Sequence, residues 1–506
     1  MKTIPILFSA LLLCGTVHAQ KFLTYEEFGA VGDGKTDDQA AIVATHAAAN
    51  ERGLPVKATD GKTYYIGKGS KTALIQTDVD FGKAKFIIDD MAVENNKAEI
   101  FRVVSTQKEV PVKGVTSLRR GARSLGVPLP CDALVWVQNK NVKQYIRFGL
   151  NRNNGTPMQE VFLANAKGEI DESTPVTCDY EVVTAITMFP IDQKPLTIKG
   201  GVFTTIANRE VSKYNYYARG FTIQRSNVRV ESIRHEITGE GDHGAPYHGF
   251  LSVSHAANVL ITNCVLTAHK TYVTIGAAGK PVSMGSYDLG ANRSVNVAFV
   301  NCRQTTDILN RKYWGLFGSN YCKNLLYDGC EFSRFDAHMG VANATIRNCR
   351  LGYMGINAIG YGTFLVENST VYGRSFINLR ADYGSTWNGD VIIRNCVFIP
   401  SCGDKATGQL FGGHYTGRHN FGYPCHAPRR ILVDGLKIDD SNHPEKYNGP
   451  YLFSDFNPDK RSADYVEDYP YHPTEEVELR NVTIMSGKPL QKCPNTFLFQ
   501  NVKISQ

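Results

Sequence analysis

The stretch NATIRNCRL (343–351) alternates small or aliphatic with polar side chains, bends at an Asn, and continues with Cys and another aliphatic residue. The same pattern recurs in NVLITNCVL (258–266), VNVAFVNCRQ (295–304), NLLYDGCEF (324–332), TFLVENSTV (363–371), DVIIRNCVF (390–398), RILVDGLKI (430–438) and EVELRNVTI (476–484). Alternation with period two predicts a β-strand in each copy. Each strand therefore belongs to one unit of a repeated structure.

The spacing of the copies indicates what kind of repeat this is. Successive bends lie as few as 19 residues apart (329 to 348) and as many as 46 (435 to 481). A fixed strand with variable connections is typical of a solenoid whose loops grow outward, whereas a propeller keeps a nearly constant blade length and a leucine-rich repeat keeps its Leu pattern. The sequence predicts an all-β, right-handed parallel β-helix.

The bend and the position after it carry special residues. The bends are Asn263, Asn301, Gly329, Asn348, Asn368, Asn395, Gly435 and Asn481. Asn and Gly tolerate the left-handed backbone conformation, and stacked Asn amides can bond to one another along a solenoid. The next position predicts an inward column of Cys264, Cys302, Cys330, Cys349 and Cys396.

We expect these column cysteines to be free, buried thiols rather than disulfides or metal ligands. Stacked strands lie about 4.8 Å apart, whereas a disulfide needs its Cβ atoms about 3.8 Å apart. Two further pairs lie outside the column, and each is compatible with a disulfide: Cys131 with Cys178, and Cys402 with Cys425.

The segment FGAVGDGKTDDQAAI (28–42) predicts the start of a helix, with Thr36 as N-cap and Gln39 three residues later as its capping-box partner. The helix is expected to run to Arg52 and to end at Gly53. It would plug the open end of the solenoid.

The FGAVGDGKTDD string resembles the entry motif of the pectate-lyase superfamily of exported β-helix proteins, which includes polysaccharide lyases, glycoside hydrolases and phage tailspikes. With the repeats, the resemblance covers roughly residues 22–90 and 195–505 and implies the fold. The chain lacks the ordered NTDG, DD, GHG and RIK pattern of polygalacturonases, and it has no evident triple-carboxylate calcium site. The family's catalytic residues are therefore not carried over.

Composition narrows the class of protein. Of 506 residues, 42% are hydrophobic and 20% charged, which excludes disorder and coiled coil. Lys and Arg outnumber Asp and Glu by 55 to 48, a net charge of +7 that permits an acidic ligand without indicating a nucleic-acid binder. We expect a monomer whose partner is an acidic polysaccharide.

The N-terminus resembles an export signal. Met1-Lys2 is basic, Ile4 to Leu13 is apolar, and Val17-His18-Ala19 is a small-residue cleavage pattern. A lipoprotein signal at Cys14 is disfavoured because Leu13 is too large. No later stretch reaches the roughly 18 apolar residues of a membrane span, so a periplasmic or secreted protein without membrane insertion is expected.

The sequence predicts four regions of the chain: a leader (1–19), the N-terminal cap and first coils of the β-helix (20–91), a β-rich insertion (92–190) and the main β-helix (191–506). The insertion lacks the Asn-Cys pattern and carries SLRRGARS (117–124) and YIRFGLNRNN (145–154). Arg119, Arg120 and Arg123 either grip an anionic chain or form a solvated basic loop.

Alternation places a candidate site on the outer face, because the core of a β-helix is packed. In RFDAHMG (334–340), inward Phe335, Ala337 and Met339 leave Arg334, Asp336 and His338 outward. In RSFINLRAD (374–382), inward Ile377, Leu379 and Ala381 leave Asn378, Arg380 and Asp382 outward. Asn357 is expected between these rows, flanked by Lys312, Tyr313, Trp314, Tyr383, Trp387, His414 and Arg418. The alternative is a surface ion-pair ladder.

A second polar cluster lies in RHEITGEGDHGAPYHG (234–249). It contains His235, Glu240, Asp242, His243, Tyr247 and His248. We expect it to form the far wall of a cleft or a metal-bearing loop, and the alternative is a Gly-rich structural loop. His248 is included among the expected substrate-binding residues.

The exposed row suits a polysaccharide lyase. Arg380 would neutralise a uronate carboxylate, Asn357 would strengthen its bond as enolate-like charge develops, and His338, oriented by Asp336, would take the C5 proton. Tyr383 or Tyr313 would donate a proton to the leaving oxygen, while Trp and Tyr rings offer platforms for sugars. The sequence indicates no required cofactor, and the binding of a divalent cation such as calcium is kept as an alternative.

Two other classes stay open. Asp336 and Asp382, expected about 9.6 Å apart from strand spacing, could serve an inverting glycoside hydrolase, which needs about 6.5–9.5 Å. A non-catalytic glycan-binding β-helix is the third class. Among substrates we favour glycosaminoglycans such as chondroitin, since the face offers basic groups to sulfates and carboxylates. The chain is also similar in general appearance to β-helix glycosaminoglycan lyases of gut bacteria.

Overall fold

A computed structural model describes residues 22–506. The predicted leader 1–19, including Cys14, lies outside the described residues. Within 22–506 no helix is long and apolar enough to cross a membrane. The one α-helix in the described part of the chain is Gln39–Arg52, and short 3-10 turns lie at Glu26–Phe28, Ala381–Tyr383 and Pro400–Gly403.

Most strands wind into a parallel β-helix, which confirms the predicted fold class. Before the insertion its strands are Asp33–Asp37, Val56–Lys57, Thr63–Ile66, Ala73–Ile75, Val79–Asp89 and Phe101–Val104. After it they are Leu196–Ile206, Phe221–Gln224, Val228–Glu231, Arg234–Thr238, Leu251–Ser254, Ala257–Thr262, Val265–Leu266, Leu289–Asn292, Val295–Val300, Arg303–Gln304, Phe317–Asn320, Lys323–Asp328, Glu331–Arg347, Arg350–Glu367, Thr370–Val371, Ser375–Leu379, Trp387–Phe398, Gln409–Gly412, Arg430–Ile438, Tyr451–Phe453, Glu476–Ile484 and Lys503–Ser505.

Each coil contributes to three parallel faces. Sheet 1 contains the strand before each bend, sheet 2 the strand after it, and sheet 3 the strand that completes the coil. One inward column of sheet 1 runs in register through Leu325, Ala344, Phe364, Val391, Ile431 and Val477. All six side chains are buried in one continuous core. Period-two alternation thus fills the interior coil by coil.

The bends adopt the predicted left-handed conformation. Asn263, Asn301, Asn348, Asn368, Asn395 and Asn481 have φ between 48° and 57°, and the Gly bends have φ of 65° and 77°. The most regular amide ladder, however, forms near the start of the sheet 1 strands. There, bonds of 2.9–3.1 Å join Asn227, Asn258, Asn296, Asn324 and Asn343 in succession. These bonds run along the axis and fix the register between coils.

The helix covers the N-terminal end of the core as predicted. Its buried face, Ala41, Ile42 and Ala49, belongs to the β-helix core, and it ends at Gly53 with φ 64°. The predicted N-cap is wrong: the cap position is Asp38, not Thr36. Thr36 instead donates to Asp33, and the Asp38 carboxylate accepts backbone N–H groups of the preceding loop.

The insertion is a separate antiparallel sheet of Val110–Pro111, Ala133–Gln144, Thr156–Ala164 and Ala185–Pro190. Phe101–Val104, which lies within the expected 92–190, pairs in parallel with Ala73–Ile75 and Phe221–Gln224. The insertion therefore starts after Val104 rather than at residue 92. Smaller additions are the hairpin Tyr272–Ile275 with Pro281–Met284, and the pair Cys425–His426 with Tyr471–His472.

The cysteine column is present. Cys264, Cys302, Cys330, Cys349 and Cys396 are free and at most 2% exposed. Neither of the two cysteine pairs considered for disulfides is bonded, since Cys131, Cys178, Cys402 and Cys425 are also free thiols. Cys131 and Cys178 pack against the core of the insertion.

We predict that thiol reagents will separate two groups of cysteines in the native protein. The half-buried Cys131, Cys178, Cys402 and Cys493 should react first, whereas the five column thiols should react only after denaturation. Alkylation followed by peptide mass spectrometry measures this. Rapid labelling of the whole column in folded protein would contradict the register described above.

Candidate functional site

Sheet 3 brings three of the predicted polar residues into one row. Asp336 pairs with Asn357, and Asn357 with Asn378, on successive coils. The neighbouring Phe335, Ala337, Ile377 and Leu379 are in the core, so the polar side chains lie on the outer side. Asn378 donates to Asn357 at 2.8 Å.

Two inward assignments at the ends of these strands are wrong. Met339 packs with an outer cluster of aromatic residues rather than in the main core. Ala381 is exposed, because Ser375–Leu379 ends before it and a 3-10 turn follows.

A set of charged residues, here called the arginine network, lies beside this row: Arg147, Arg334, Asp336, Arg380 and Asp382. Arg380 donates to Asp336 at 2.8 and 3.1 Å and to Asp382 at 2.9 and 3.2 Å. Arg334 donates to Asp336 at 2.5 Å, and Arg147 donates to Asp382. Three guanidinium groups thus share two carboxylates, which leaves one positive charge in excess.

The network is more enclosed than an exposed patch. The Asp336 side chain is 1% exposed, compared with 17% for Arg380 and 24% for Asp382. The insertion covers one side of the network, because Tyr145 packs edge-on against Tyr383 and the Arg147 guanidinium lies 4.8 Å from the centroid of that ring. Sequence alternation gives the direction of a side chain but not what covers it.

Charge and burial control the protonation of the network. Burial alone would raise the pKa of Asp382, but Arg380 and Arg147 outweigh burial and hold that pKa well below its usual range. Burial, and then the charge of Arg380, lower the pKa of His338 to about 3. At neutral pH the site therefore contains an ionised Asp382 beside a neutral imidazole.

A chain of amides sets the orientation of that imidazole. Asn320 donates to Asn292 at 2.7 Å, so its carbonyl oxygen faces His338 Nδ1, also at 2.7 Å. This assigns the proton to Nδ1 and leaves Nε2 as the acceptor. Asp336, the residue expected to orient His338, binds arginines instead.

The expected flanking residues do not form one platform. The prediction that Trp387 offers a platform for a sugar is wrong, since this side chain is fully buried in the core and donates to the Gly362 carbonyl at 3.0 Å. Tyr383 is 4% exposed beneath Arg147. Trp314 does adjoin the network, with the Arg334 guanidinium 4.9 Å from its ring centroid. Tyr313 is half-buried.

The other flanking residues lie at the surface. Lys312, His414, Arg418 and His248 are exposed, and Arg418 pairs with Asp459 at 3.5 Å.

Two residues that contribute to the candidate site were not predicted from the sequence. Arg147 comes from an irregular loop of the insertion, where no repeat gives a direction for its side chain. Asn320 was detectable, because Asn292 and Asn320 occupy the same position in successive sheet 3 strands. A recurring outward Asn would have identified the support of His338.

The second polar cluster is mainly an internal network. His235 stacks on Phe250 at 3.8 Å and contacts Asp288 at 2.7 Å through Nδ1. His269 lies 3.3 Å from Glu240 and 3.4 Å from Asp288. These four side chains are at most 7% exposed.

The remaining residues of the second cluster do not form a metal site. Tyr247 stacks on His269, whereas Asp242, His243 and His248 are exposed. Across residues 22–506 no group of three or more His, Cys, Asp or Glu side chains is placed to hold a metal ion.

Comparison with known proteins gives limited sequence similarity. No family model matches the chain. A capsule KL64-specific depolymerase of Klebsiella phage P510 is 28% identical over 144 residues, which are 26% of this chain and 13% of that protein. The chain thus matches only a small part of the length of that relative.

Solved structures share the fold. The tailspike gp61 of Pseudomonas phage phi297 has a TM-score of 0.53 at 13% identity, covering 92% of this chain and 81% of that one. The tailspike gp49 of Pseudomonas phage LKA1 has a TM-score of 0.50 at 14% identity, covering 94% and 83%. The Gp54 tailspike of Acinetobacter baumannii phage AP22, solved with a capsular saccharide, has a TM-score of 0.53 at 9% identity, covering 96% and 79%. These likenesses concern the β-helix architecture.

We predict a loss of stability as pH rises from about 6.5 to about 9. Burial would lower the pKa of His269, but hydrogen bonds to Asp288 and Glu240 outweigh burial and raise it to about 9. A histidine whose pKa is higher in the folded state than in the unfolded state contributes its full stabilisation at pH values below the unfolded-state pKa. That contribution is lost as the pH rises through the folded-state pKa. Urea unfolding across this pH range measures the effect.

The variant Glu240→Gln should move that loss of stability to lower pH, because it removes the negative charge of one of the two carboxylates that raise the pKa of His269. Glu445→Gln, at an exposed carboxylate, is the matched control and should keep the parent profile. An equal pH dependence in Glu240→Gln and the parent would contradict this role of His269.

Proposed function

We propose that this protein binds and cleaves an acidic polysaccharide at the arginine network, by β-elimination. The observation that carries the proposal is the excess of one guanidinium over the carboxylates in a partly enclosed position on the outer face of the β-helix. A positive charge in excess of its carboxylate partners attracts an anionic group more strongly when it is shielded from bulk water than when it is solvated. A uronate carboxylate or a sulfate has the required charge.

The comparisons support a glycan as the ligand. One relative is a capsule depolymerase, and one structural neighbour was solved with a capsular saccharide. A glycosaminoglycan-like substrate is preferred because both sulfate and carboxylate would find guanidinium partners. With the predicted leader, the reaction would take place in the periplasm or outside the cell.

In the proposed reaction the substrate carboxylate binds Arg380 and Arg147, and Asn357 donates to it as negative charge grows. His338 Nε2 takes the proton from C5, the C5–H electrons form the C4–C5 double bond, and the C4–O4 bond breaks. Tyr383 gives its proton to O4 as that oxygen leaves. An anion on Arg380 also offsets the charge that lowers the pKa of His338, so binding makes the imidazole a better base.

Hydrolysis is the second candidate reaction, because it needs two carboxyl groups and Asp336 and Asp382 both bind the same guanidinium group. A hydrolase needs one carboxylic acid that stays protonated to donate to the leaving oxygen. Asp382 does not suit that role, since Arg380 and Arg147 hold its pKa well below the usual range despite its burial. Elimination, which needs a neutralised carboxylate and a base, fits the network better. The third class, binding without cleavage, uses the same positive charge.

A panel of uronate polysaccharides tests the proposed function. The protein without its predicted leader is incubated with chondroitin sulfate, hyaluronan, heparan sulfate, alginate and polygalacturonate. Elimination creates a conjugated double bond that absorbs ultraviolet light, whereas hydrolysis gives reducing ends without that absorbance. Reducing ends alone would favour the hydrolase, and binding without either product would favour the non-catalytic class.

We predict that His338→Ala will lower turnover of the cleaved polysaccharide by about 10²–10⁴-fold, the usual contribution of a general base. His443→Ala, at a half-buried histidine stacked on Tyr447 in the C-terminal coils, is the control and should keep the parent rate. A folded His338→Ala protein with parent turnover would remove this histidine from the mechanism. Arg380→Ala is a poorer test, because it leaves the buried Asp336 with one fewer counter-ion and lowers stability.

A further inference from the structure

A cleft of about 860 Å³ lies between the insertion and the β-helix, and we call it the insertion cleft. Its floor is sheet 1, where Ala342, Tyr361 and Asn388 are paired on three successive coils. One wall is the insertion, including Arg120 and the 175–179 segment. The other wall is formed by residues 422–426 together with His472. Its volume is within the range of clefts that enclose small ligands.

Two glycines in the floor allow neighbouring coils to approach closely beside Tyr361. Gly360 and Gly362 flank Tyr361, and a Cβ at Gly360 would meet the Val341 carbonyl oxygen at 2.0 Å. Gly362 has φ of +82°, which side-chain-bearing residues rarely adopt. Tyr361 in the floor and Tyr423 in the wall are half-buried, and both line the cleft. Aromatic side chains that line a cleft with polar neighbours suit the apolar face of a sugar.

The cleft also has hydrogen-bond donors available to a ligand, among them the guanidinium group of Arg120. The Arg120 side chain is 62% exposed and lies 3.8 Å from its partner Asp179, a distance at which the pairing is weak. The rings of His426 and His472 stack at 4.3 Å, and His472 is exposed. Burial, and then the neighbouring His472 and Arg120, lower the pKa of His426 to about 4, so His426 is neutral at neutral pH.

The insertion cleft is adjacent to the arginine network, and Tyr145 lies between the two. The Tyr145 ring lies 5.7 Å from Tyr383, at the network, and 5.0 Å from Tyr423, at the cleft. Tyr423 also donates to the Tyr383 carbonyl at 2.6 Å. A chain bound at the network thus has the insertion cleft as its neighbouring surface.

We propose that the insertion cleft is a second glycan-binding site, which holds a stretch of the acidic polysaccharide away from the bond that is cleaved. In this site the sugar rings lie against Tyr361 and Tyr423, and an acidic group binds Arg120 and His472. The inference rests on the proposed function for the identity of the ligand, but its site and its residues are separate from those of the reaction.

Binding of defined oligosaccharides tests the inference without any turnover. Chondroitin sulfate, hyaluronan and polygalacturonate hexasaccharides are titrated by calorimetry into His338→Ala protein, which prevents cleavage. In that background, Arg120→Ala and His472→Ala should each raise the Kd of the bound hexasaccharide about tenfold, as expected for one charge-assisted hydrogen bond. Disaccharides, which fill the network alone, should bind equally to all variants.

Matched controls separate the cleft from general loss of positive charge. Arg119→Ala removes an equally exposed arginine from the adjacent position, where it pairs with Glu181 outside the lining of the cleft. His243→Ala removes another exposed histidine. Both controls should keep the Kd of the His338→Ala protein, and all variants should keep its melting temperature, because these side chains are at the surface.

The outcomes distinguish the inference from the proposed function. If Arg120→Ala and His472→Ala bind the hexasaccharide with unchanged Kd, the second site is wrong while the reaction site stands. If Arg119→Ala weakens binding as much as Arg120→Ala, the effect is one of net charge and the inference is also wrong. If no hexasaccharide binds the protein at millimolar concentration, the inference and the proposed function are contradicted together.

Discussion

A buried ion pair joins the two parts of this molecule. Lys323, at the start of a sheet 1 strand, donates to Glu160 of the insertion at 2.7 Å, with both side chains at most 2% exposed. Glu160 also accepts backbone N–H groups of Thr177 and Cys178, and Lys323 donates to the Pro175 carbonyl. Removal of either charge would leave the other unpaired in the interior, at a cost of about 3–5 kcal/mol. Few relative positions of the two parts satisfy both groups at once.

Both proposed binding surfaces depend on that docking. It positions the loop in which Arg147 reaches Asp382 and Tyr145 covers Tyr383. It also makes residues 175–179 a wall of the insertion cleft. Without the insertion, Arg380 and Asp382 would be a solvated surface ion pair of little electrostatic effect. Enclosure by the insertion lowers the local dielectric and gives the excess guanidinium its strength.

The repeated parts of the chain were predictable and the irregular parts were not. Alternation around Asn348 and Cys349 specified strand, bend and buried thiol, because one register satisfies every coil at once. Trp387 was misplaced because a 3-10 turn at Ala381–Tyr383 interrupts the alternation between it and Leu379. Thr36 was misplaced as N-cap because its hydroxyl is used by a local turn on Asp33. The enclosure of Asp382 by Arg147 depends on a distant insertion that has no periodicity.

An acidic glycan that binds across both the β-helix and the insertion should slow hydrogen exchange in both parts of the molecule. Exchange of His338→Ala protein is compared with and without a saturating acidic hexasaccharide that binds it. The account predicts slower exchange in Ser375–Leu379, in the 145–154 loop and in residues 422–426, with sheet 2 unchanged. Protection confined to sheet 2 would contradict binding across the two parts.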